Sequence, residues 1–228
     1  MKPWLLLFAL ACAPAAPTVA TTPTVATPTT STEPASPAPR AAGPRVVFLG
    51  DSLTAGLGLA VDDAFPAQLG RALAAEGLPA TIVNAGVSGD TSAGGLRRLD
   101  WLLGQKPDIL VLGLGANDML RGLPPADCAA NLRAIVDKAR AAGADVLLLG
   151  MRANPTLGPD YVAAFDAIYP ALAAPPGVTL VPFLLEGVAG EPALNQADGL
   201  HPTTEGHARI TALVLPALTP LVRGRSGG

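Results

Sequence analysis

Four short stretches carry side chains whose types and spacing can do chemistry. The first is Gly50-Asp51-Ser52-Leu53-Thr54-Ala55-Gly56, directly after an apolar run. A serine just past a strand, opening toward a helix, stands ready for nucleophilic attack, and the glycine before it permits a tight turn. The same Asp-Ser pair also reads as a turn or helix cap. From Arg45 onward the competing serines are few: Ser88, Ser92 and, near the end of the chain, Ser226. The second stretch, Asn84-Ala85-Gly86-Val87-Ser88-Gly89-Asp90-Thr91-Ser92, is rich in small residues that let a backbone N–H approach a substrate oxygen. It also reads as a loop with a cap at Asp90 or Thr91. The third is Gly113-Leu114-Gly115-Ala116-Asn117-Asp118. The Asn117 amide can donate to a developing oxyanion, although Asn in a Gly-rich turn is also there for its tolerance of left-handed backbone. The fourth is Asp198-Gly199-Leu200-His201-Pro202. Asp and His three apart on a loop can hydrogen-bond, so that the carboxylate orients the imidazole and stabilises its charged form.

The chain contains only two histidines, His201 and His207, so any histidine-dependent chemistry must use one of them. His207 falls inside a helical pattern and reads as structural. A metal site from Asp198, His201 and His207 is a second way to use these residues, but the histidine spacing is unlike that of zinc ligands.

Positioning these stretches requires a scaffold. From Arg45 onward, apolar runs of strand length alternate with longer Ala-rich segments. The runs are 45–50, 80–84, 108–114, 145–150 and 178–183, each rich in Val, Leu or Ile, as expected for parallel strands covered on both faces. Helices are expected near 63–76, 91–104, 126–142, 160–174 and 204–221. Five strand–helix units predict a three-layer α/β/α domain with a flavodoxin-like, five-stranded parallel sheet and strand 3 at its centre. Each of the four stretches then follows a strand, at the carboxyl edge where such sheets place their sites.

In this order, the blocks GDSLTAGLG, NAGVSGDTS, GLGANDMLRG and DGLHP resemble the SGNH (GDSL) hydrolase superfamily. The resemblance covers about residues 46–221. The stretches YVAAFDAIYPALA (161–173) and VPFLLEGV (181–188) are similar to the bacterial thioesterase I/arylesterase/lysophospholipase group. The resemblance implies that Ser52 is a nucleophile completed by Asp198 and His201. It also implies an oxyanion hole built from the Ser52 and Gly89 N–H groups and the Asn117 side chain. By the same resemblance the chain hydrolyses carboxylic esters or thioesters of small to medium acyl chains through an acyl-enzyme. No metal or organic cofactor is expected. A carbohydrate O-acetylesterase of the same superfamily and a non-catalytic surface-tethered binding module are the alternatives. The rival α/β-hydrolase fold would require a G-x-S-x-G elbow, which the sequence around Ser52 lacks. Loop 152–160 is expected to shape the acyl pocket.

Composition sets the outer bounds. The 228 residues are 50% hydrophobic and 14% charged, which excludes a wholly disordered chain. Net charge is −3 and no basic cluster exceeds Arg97–Arg98, so no nucleic-acid partner is expected. The expected partner is a small-molecule ester or thioester, lysophospholipid included, bound by a monomer. Two cysteines, Cys12 and Cys128, exclude a disulfide-dense scaffold, and Cys128 reads as a buried apolar residue.

The N-terminus reads as a targeting segment. One lysine followed by about ten apolar residues is the layout of a secretory signal, and is shorter than the roughly 18 residues that span a bilayer. Residues 1–12 end in Ala9-Leu10-Ala11-Cys12, which resembles a lipobox and makes Cys12 a candidate for lipid attachment. Cleavage after Thr18-Val19-Ala20 is the alternative. Residues 13–44 contain 25 Ala, Pro and Thr in 32 positions and read as an extended, disordered linker. The domain is expected over 45–223, with a disordered tail at 224–228. Location outside the cytoplasm follows from the leader.

Overall fold

The computed structural model describes residues 43–226. The leader, Cys12, the linker as far as residue 42 and residues 227–228 lie outside the described residues.

Five parallel strands form one sheet: β1 (Arg45–Gly50), β2 (Thr81–Gly86), β3 (Ile109–Gly113), β4 (Asp145–Leu149) and β5 (Val178–Val181). Their order is β2-β1-β3-β4-β5, with β3 in the middle as expected. Val47 pairs with Val83 on one side and Leu110 on the other, which aligns the carboxyl ends of β1, β2 and β3 at Gly50, Gly86 and Gly113. The runs Val46–Leu49, Ile109–Leu112 and Val146–Leu149 are buried along their length, because helices cover both faces. β5 stops at Val181, since Pro182 has no N–H to give to a ladder.

The helices are α1 (Ser52–Ala55), α2 (Phe65–Ala75), α3 (Ser92–Leu103), α4 (Ala116–Leu120), α5 (Pro125–Ala141), α6 (Pro159–Asp166), α7 (Ile168–Ala173) and α8 (Thr204–Ser226). α2 packs with α8, and α3, α6 and α7 pack with α5. The result is the three-layer α/β/α domain expected.

Three features depart from the sequence reading. The segment 160–174 is two helices, not one. Pro170 cannot donate to the Asp166 carbonyl and its ring would collide with it, so the helix breaks between them. The last helix runs to Ser226, so residues 224–226 are helical rather than tail. Ile210, Val214, Leu218 and Val222 continue one buried stripe through Pro216 and Pro220, and Arg225 Nε pairs with Asp145 Oδ2 at 2.7 Å. The short helices α1 and α4 are absent from the sequence reading, and their first turns carry Ser52 and Asn117.

Candidate active site

The serine sits where β1 ends. Ser52 is the first residue of α1, and Asp51 caps that helix by accepting from the Leu53 N–H at 3.0 Å. The capping reading and the chemical reading are therefore both fulfilled, by neighbouring residues. Ser52 Oγ lies 2.9 Å from His201 Nε2. His201 Nδ1 lies 2.6 Å from Asp198 Oδ2. The other Asp198 oxygen accepts from the backbone N–H groups of Leu200 (2.9 Å) and His201 (3.0 Å). The His201 backbone N–H, followed by the His201 ring and the Leu200 N–H, holds the Asp198 carboxyl well below the usual carboxylate range. It stays ionised and acts as an acceptor only, which favours the tautomer with its proton on Nδ1 and a free lone pair on Nε2 facing the serine.

The competing serines are placed otherwise. Ser92 is fully buried, with its Oγ donating to Asp118 Oδ1 at 2.6 Å and accepting from Asn131 Nδ2 at 3.0 Å. Ser88 borders the same cavity as Ser52, but it is Ser52 that the His201 ring meets.

His207 belongs to the core. Its Nδ1 accepts from the Phe65 N–H at 3.0 Å and its ring stacks on Phe65. Burial pushes its pKa down to about 4, so it is neutral at pH 7. Asp198, His201 and His207 are thus not gathered around a common centre. Among the described residues no group of three His, Cys, Asp or Glu side chains is placed to hold a metal ion.

Asn117 is the second residue of α4. Its Nδ2 donates to Asp51 Oδ2 at 3.4 Å, a long bond that nonetheless aims the amide nitrogen at the serine's turn. Asp51 is almost completely buried, which raises its pKa to about 6, and its bond from the Leu53 N–H only partly offsets that rise. Gly89 lies between β2 and α3 with φ of +79°, a backbone that favours glycine. Its carbonyl accepts from Arg121 Nη2 at 2.6 Å. Arg98 braces the same edge, donating to Asp90 Oδ2, Ala85 O and Gly50 O at 2.8, 2.6 and 2.9 Å.

Ser52, Gly89, Asn117 and His201 all line one cavity of about 270 Å³. Its remaining wall is mainly apolar and includes Leu57, Leu120, Met151, Leu185 and Leu200. Loop 152–160 does not line it. That segment is tied elsewhere: Ala153 N donates to Asp166 Oδ1 at 2.8 Å, and Arg152 lies over the Phe183 ring. The wall position comes instead from Met151 and from Leu185, past β5 in the stretch 181–188. Asp118 also escaped notice. It is 2% exposed and accepts from Ser92 N (2.8 Å) and Ser92 Oγ (2.6 Å), tying the start of α3 to α4. An acid directly after Asn117 was the available signal.

Chemically, a hydroxyl bonded to an imidazole that is bonded to a carboxylate can lose its proton to that imidazole during attack. N–H donors at the same cavity can accept the charge that then develops on a carbonyl oxygen.

Known proteins resemble this chain over most of its length. Residues 48–209 match the model of the GDSL-like Lipase/Acylhydrolase family. The chain is 47% identical over 184 residues to Esterase TesA of Pseudomonas aeruginosa, covering 80% of this chain and 92% of that protein. It is 40% identical over 183 residues to Thioesterase 1/protease 1/lysophospholipase L1 of Escherichia coli strain K12, covering 80% of this chain and 86% of that one. The crystal structure of TesA superposes with a TM-score of 0.74 at 48% identity, over 78% of this chain and 99% of that chain. A hydrogen-bonded serine–histidine–aspartate arrangement at the edge of a five-stranded parallel sheet, with this extent of likeness, leads to one conclusion: the chain belongs to the GDSL-like lipase/acylhydrolase family and is a serine hydrolase that acts on ester bonds.

Proposed function

We propose that Ser52, His201 and Asp198 form the catalytic triad, and that the Ser52 and Gly89 N–H groups and the Asn117 side chain form the oxyanion hole. The observation that carries this reading is the unbroken line Ser52 Oγ, His201, Asp198, with distances of 2.9 and 2.6 Å. In the first step His201 Nε2 takes the Ser52 proton as Oγ bonds to the substrate carbonyl carbon. The charge on the carbonyl oxygen is held by the three N–H donors. The tetrahedral adduct collapses, His201 gives its proton to the departing alcohol or thiol, and an acyl-Ser52 ester remains. Water then repeats the sequence: His201 takes its proton, the adduct forms and breaks, and the proton returns to Ser52 as the acid leaves. Asp198 stays ionised throughout and balances the imidazolium.

The apolar cavity supports small to medium acyl chains as substrates, since each buried methylene adds about 0.8 kcal/mol of binding. The names of relatives, an arylesterase of Vibrio mimicus included, support arylesters, acyl thioesters and lysophospholipids as substrate classes for this chain. All the groups of this machinery come from one chain, in keeping with action as a monomer. We place the enzyme in the cell envelope or outside the cell, exported by the leader at residues 1–12 and anchored if Cys12 carries lipid. Among the described residues no helix is long and apolar enough to cross a membrane.

The test is hydrolysis of p-nitrophenyl esters of increasing chain length. Ser52→Ala is expected to abolish turnover with the fold intact, and a serine-directed organophosphonate is expected to label Ser52 and no other serine. Rates are expected to climb from acetyl toward medium chains. Labelling at Ser88, or a strict preference for acetyl with strong activity on acetylated polysaccharide, contradicts the reading at its site or at its substrate.

A further inference from the structure

Gln196 takes no part in the chemistry described above, yet both its side chain and its backbone are hydrogen-bonded beside His201. Its Nε2 donates to two carbonyls from distant parts of the chain, Leu57 O at 2.8 Å and Pro202 O at 3.0 Å. Its backbone N–H donates to His201 O at 2.7 Å, and its carbonyl accepts from Gly199 N at 2.9 Å. Leu57 in turn donates its N–H to Ser52 O at 3.1 Å. A continuous path of hydrogen bonds therefore runs from the Ser52 carbonyl through Leu57 and Gln196 to the His201 carbonyl. It lies alongside the bond from Ser52 Oγ to His201 Nε2.

The path supplies something the triad lacks. Asp198 is bonded to Leu200 and His201, all within one loop, so it orients the ring relative to that loop alone. Ser52 is 149 residues away on α1. The serine–histidine bond cannot hold the two loops in register, because it is broken and remade in each turnover. Among the hydrogen bonds of the described residues, the one from Gln196 to Leu57 is the other that joins the His201 loop to the Ser52 turn. The chain next to it is shaped for this amide: Gly58 has φ of +83°, and a Cβ there would collide with Gln196 Oε1.

We infer that Gln196 is a positioning residue that holds the His201 loop against the Ser52 turn, acting through two donors of one amide. The inference rests on the roles of Ser52 and His201 proposed above.

The test compares Gln196→Met, of similar length without donors, with Gln196→Asn, which keeps the donors on a shorter arm. Displacing a catalytic group by about 1 Å can cost on the order of a hundredfold in rate. Gln196→Met is therefore expected to lower kcat on a p-nitrophenyl ester by about ten- to a hundredfold, with KM within about threefold and the urea midpoint little changed. Gln196→Asn is expected to fall between it and the parent. The deciding arm repeats Gln196→Met in a His201→Ala background, where it is expected to add no further loss, because the amide acts through His201. Full kcat in a folded Gln196→Met overturns the inference, as does a further loss in the His201→Ala background. If Gln196→Met does not fold, Gln196→Asn carries the same two comparisons. An active Ser52→Ala would instead overturn the reading of the triad, an outcome that the Gln196 variants do not report.

Discussion

At the scale of single residues, the environment assigns different jobs to side chains of the same type. His201 is half-buried at the cavity and bonded on both nitrogens, whereas His207 is 1% exposed and bonded to a backbone N–H. The His207 pKa drops from 6.5 to about 4 on folding, so below pH 6.5 the unfolded chain takes up a proton that the native state refuses. Stability from this group is complete above about 6.5 and is lost progressively as pH falls toward 4, by on the order of 3 kcal/mol in all. His207→Asn, which can still accept from Phe65 N, is expected to keep most activity and to flatten this loss. Urea titrations at pH 7.5 and pH 5 would show it. Asp51 shifts the other way. With a pKa raised to about 6, its carboxyl is neutral below that pH and ionised above it. Only the carboxylate is a pure acceptor that aims Asn117 Nδ2, so protonation of Asp51 adds a second proton to the acid limb of kcat. Asp51→Asn is expected to retain activity at pH 8 within about tenfold and to show a shallower acid limb. An unchanged slope would dissociate Asp51 from the aim of Asn117.

At the scale of elements, the site is made by two very short helices and by what holds them. α1 presents Ser52 and α4 presents Asn117. Neither has enough residues to be stable alone, so each depends on side-chain ties to larger elements. Asn84 Nδ2 donates to Thr54 O at 2.8 Å, joining α1 to β2. The buried Asp118 carboxylate joins α4 to the start of α3 through Ser92. Removing that carboxylate strands the Ser92 N–H and hydroxyl in a dry interior, where an unsatisfied group costs about 1–3 kcal/mol. Asp118→Ala is therefore expected to lose about that much stability by denaturant titration, and to lower kcat more than it raises KM, because Asn117 and Gly89 lose their common brace. Asp118→Asn keeps one acceptor and is expected to be milder.

At the scale of the whole molecule, the sheet gathers distant sequence at one edge. All the proposed catalytic groups lie downstream of residue 45, and the described core is complete from Val46 to Val222. A chain beginning at residue 43 is expected to fold, to give a cooperative urea transition and to hydrolyse soluble p-nitrophenyl esters at the rate of the full chain. A marked fall in that rate would assign residues 1–42 a part in catalysis beyond the export and tethering proposed for them.

The fold was legible in the sequence for a plain physical reason. Strands buried on both faces must be continuously apolar, and 46–50, 109–114 and 146–150 are, while the two-histidine inventory left one loop histidine beside an aspartate three residues away. The site residues on their four loops followed from that pattern and from the resemblance of their motifs. The break at Pro170 was written in the sequence but lay inside an otherwise helical pattern, and the α8 stripe ran on past two prolines that would ordinarily argue for a stop. Tertiary structure alone decided the rest: that Ser52 rather than Ser88 meets His201, that His207 turns to Phe65, that Met151 and Leu185 rather than loop 152–160 wall the cavity, and that Gln196 spans two loops. Each of these depends on contacts between segments far apart in the chain. Local pattern encodes which face a residue turns to the core, whereas the partner it meets there is chosen only when the whole sheet has closed.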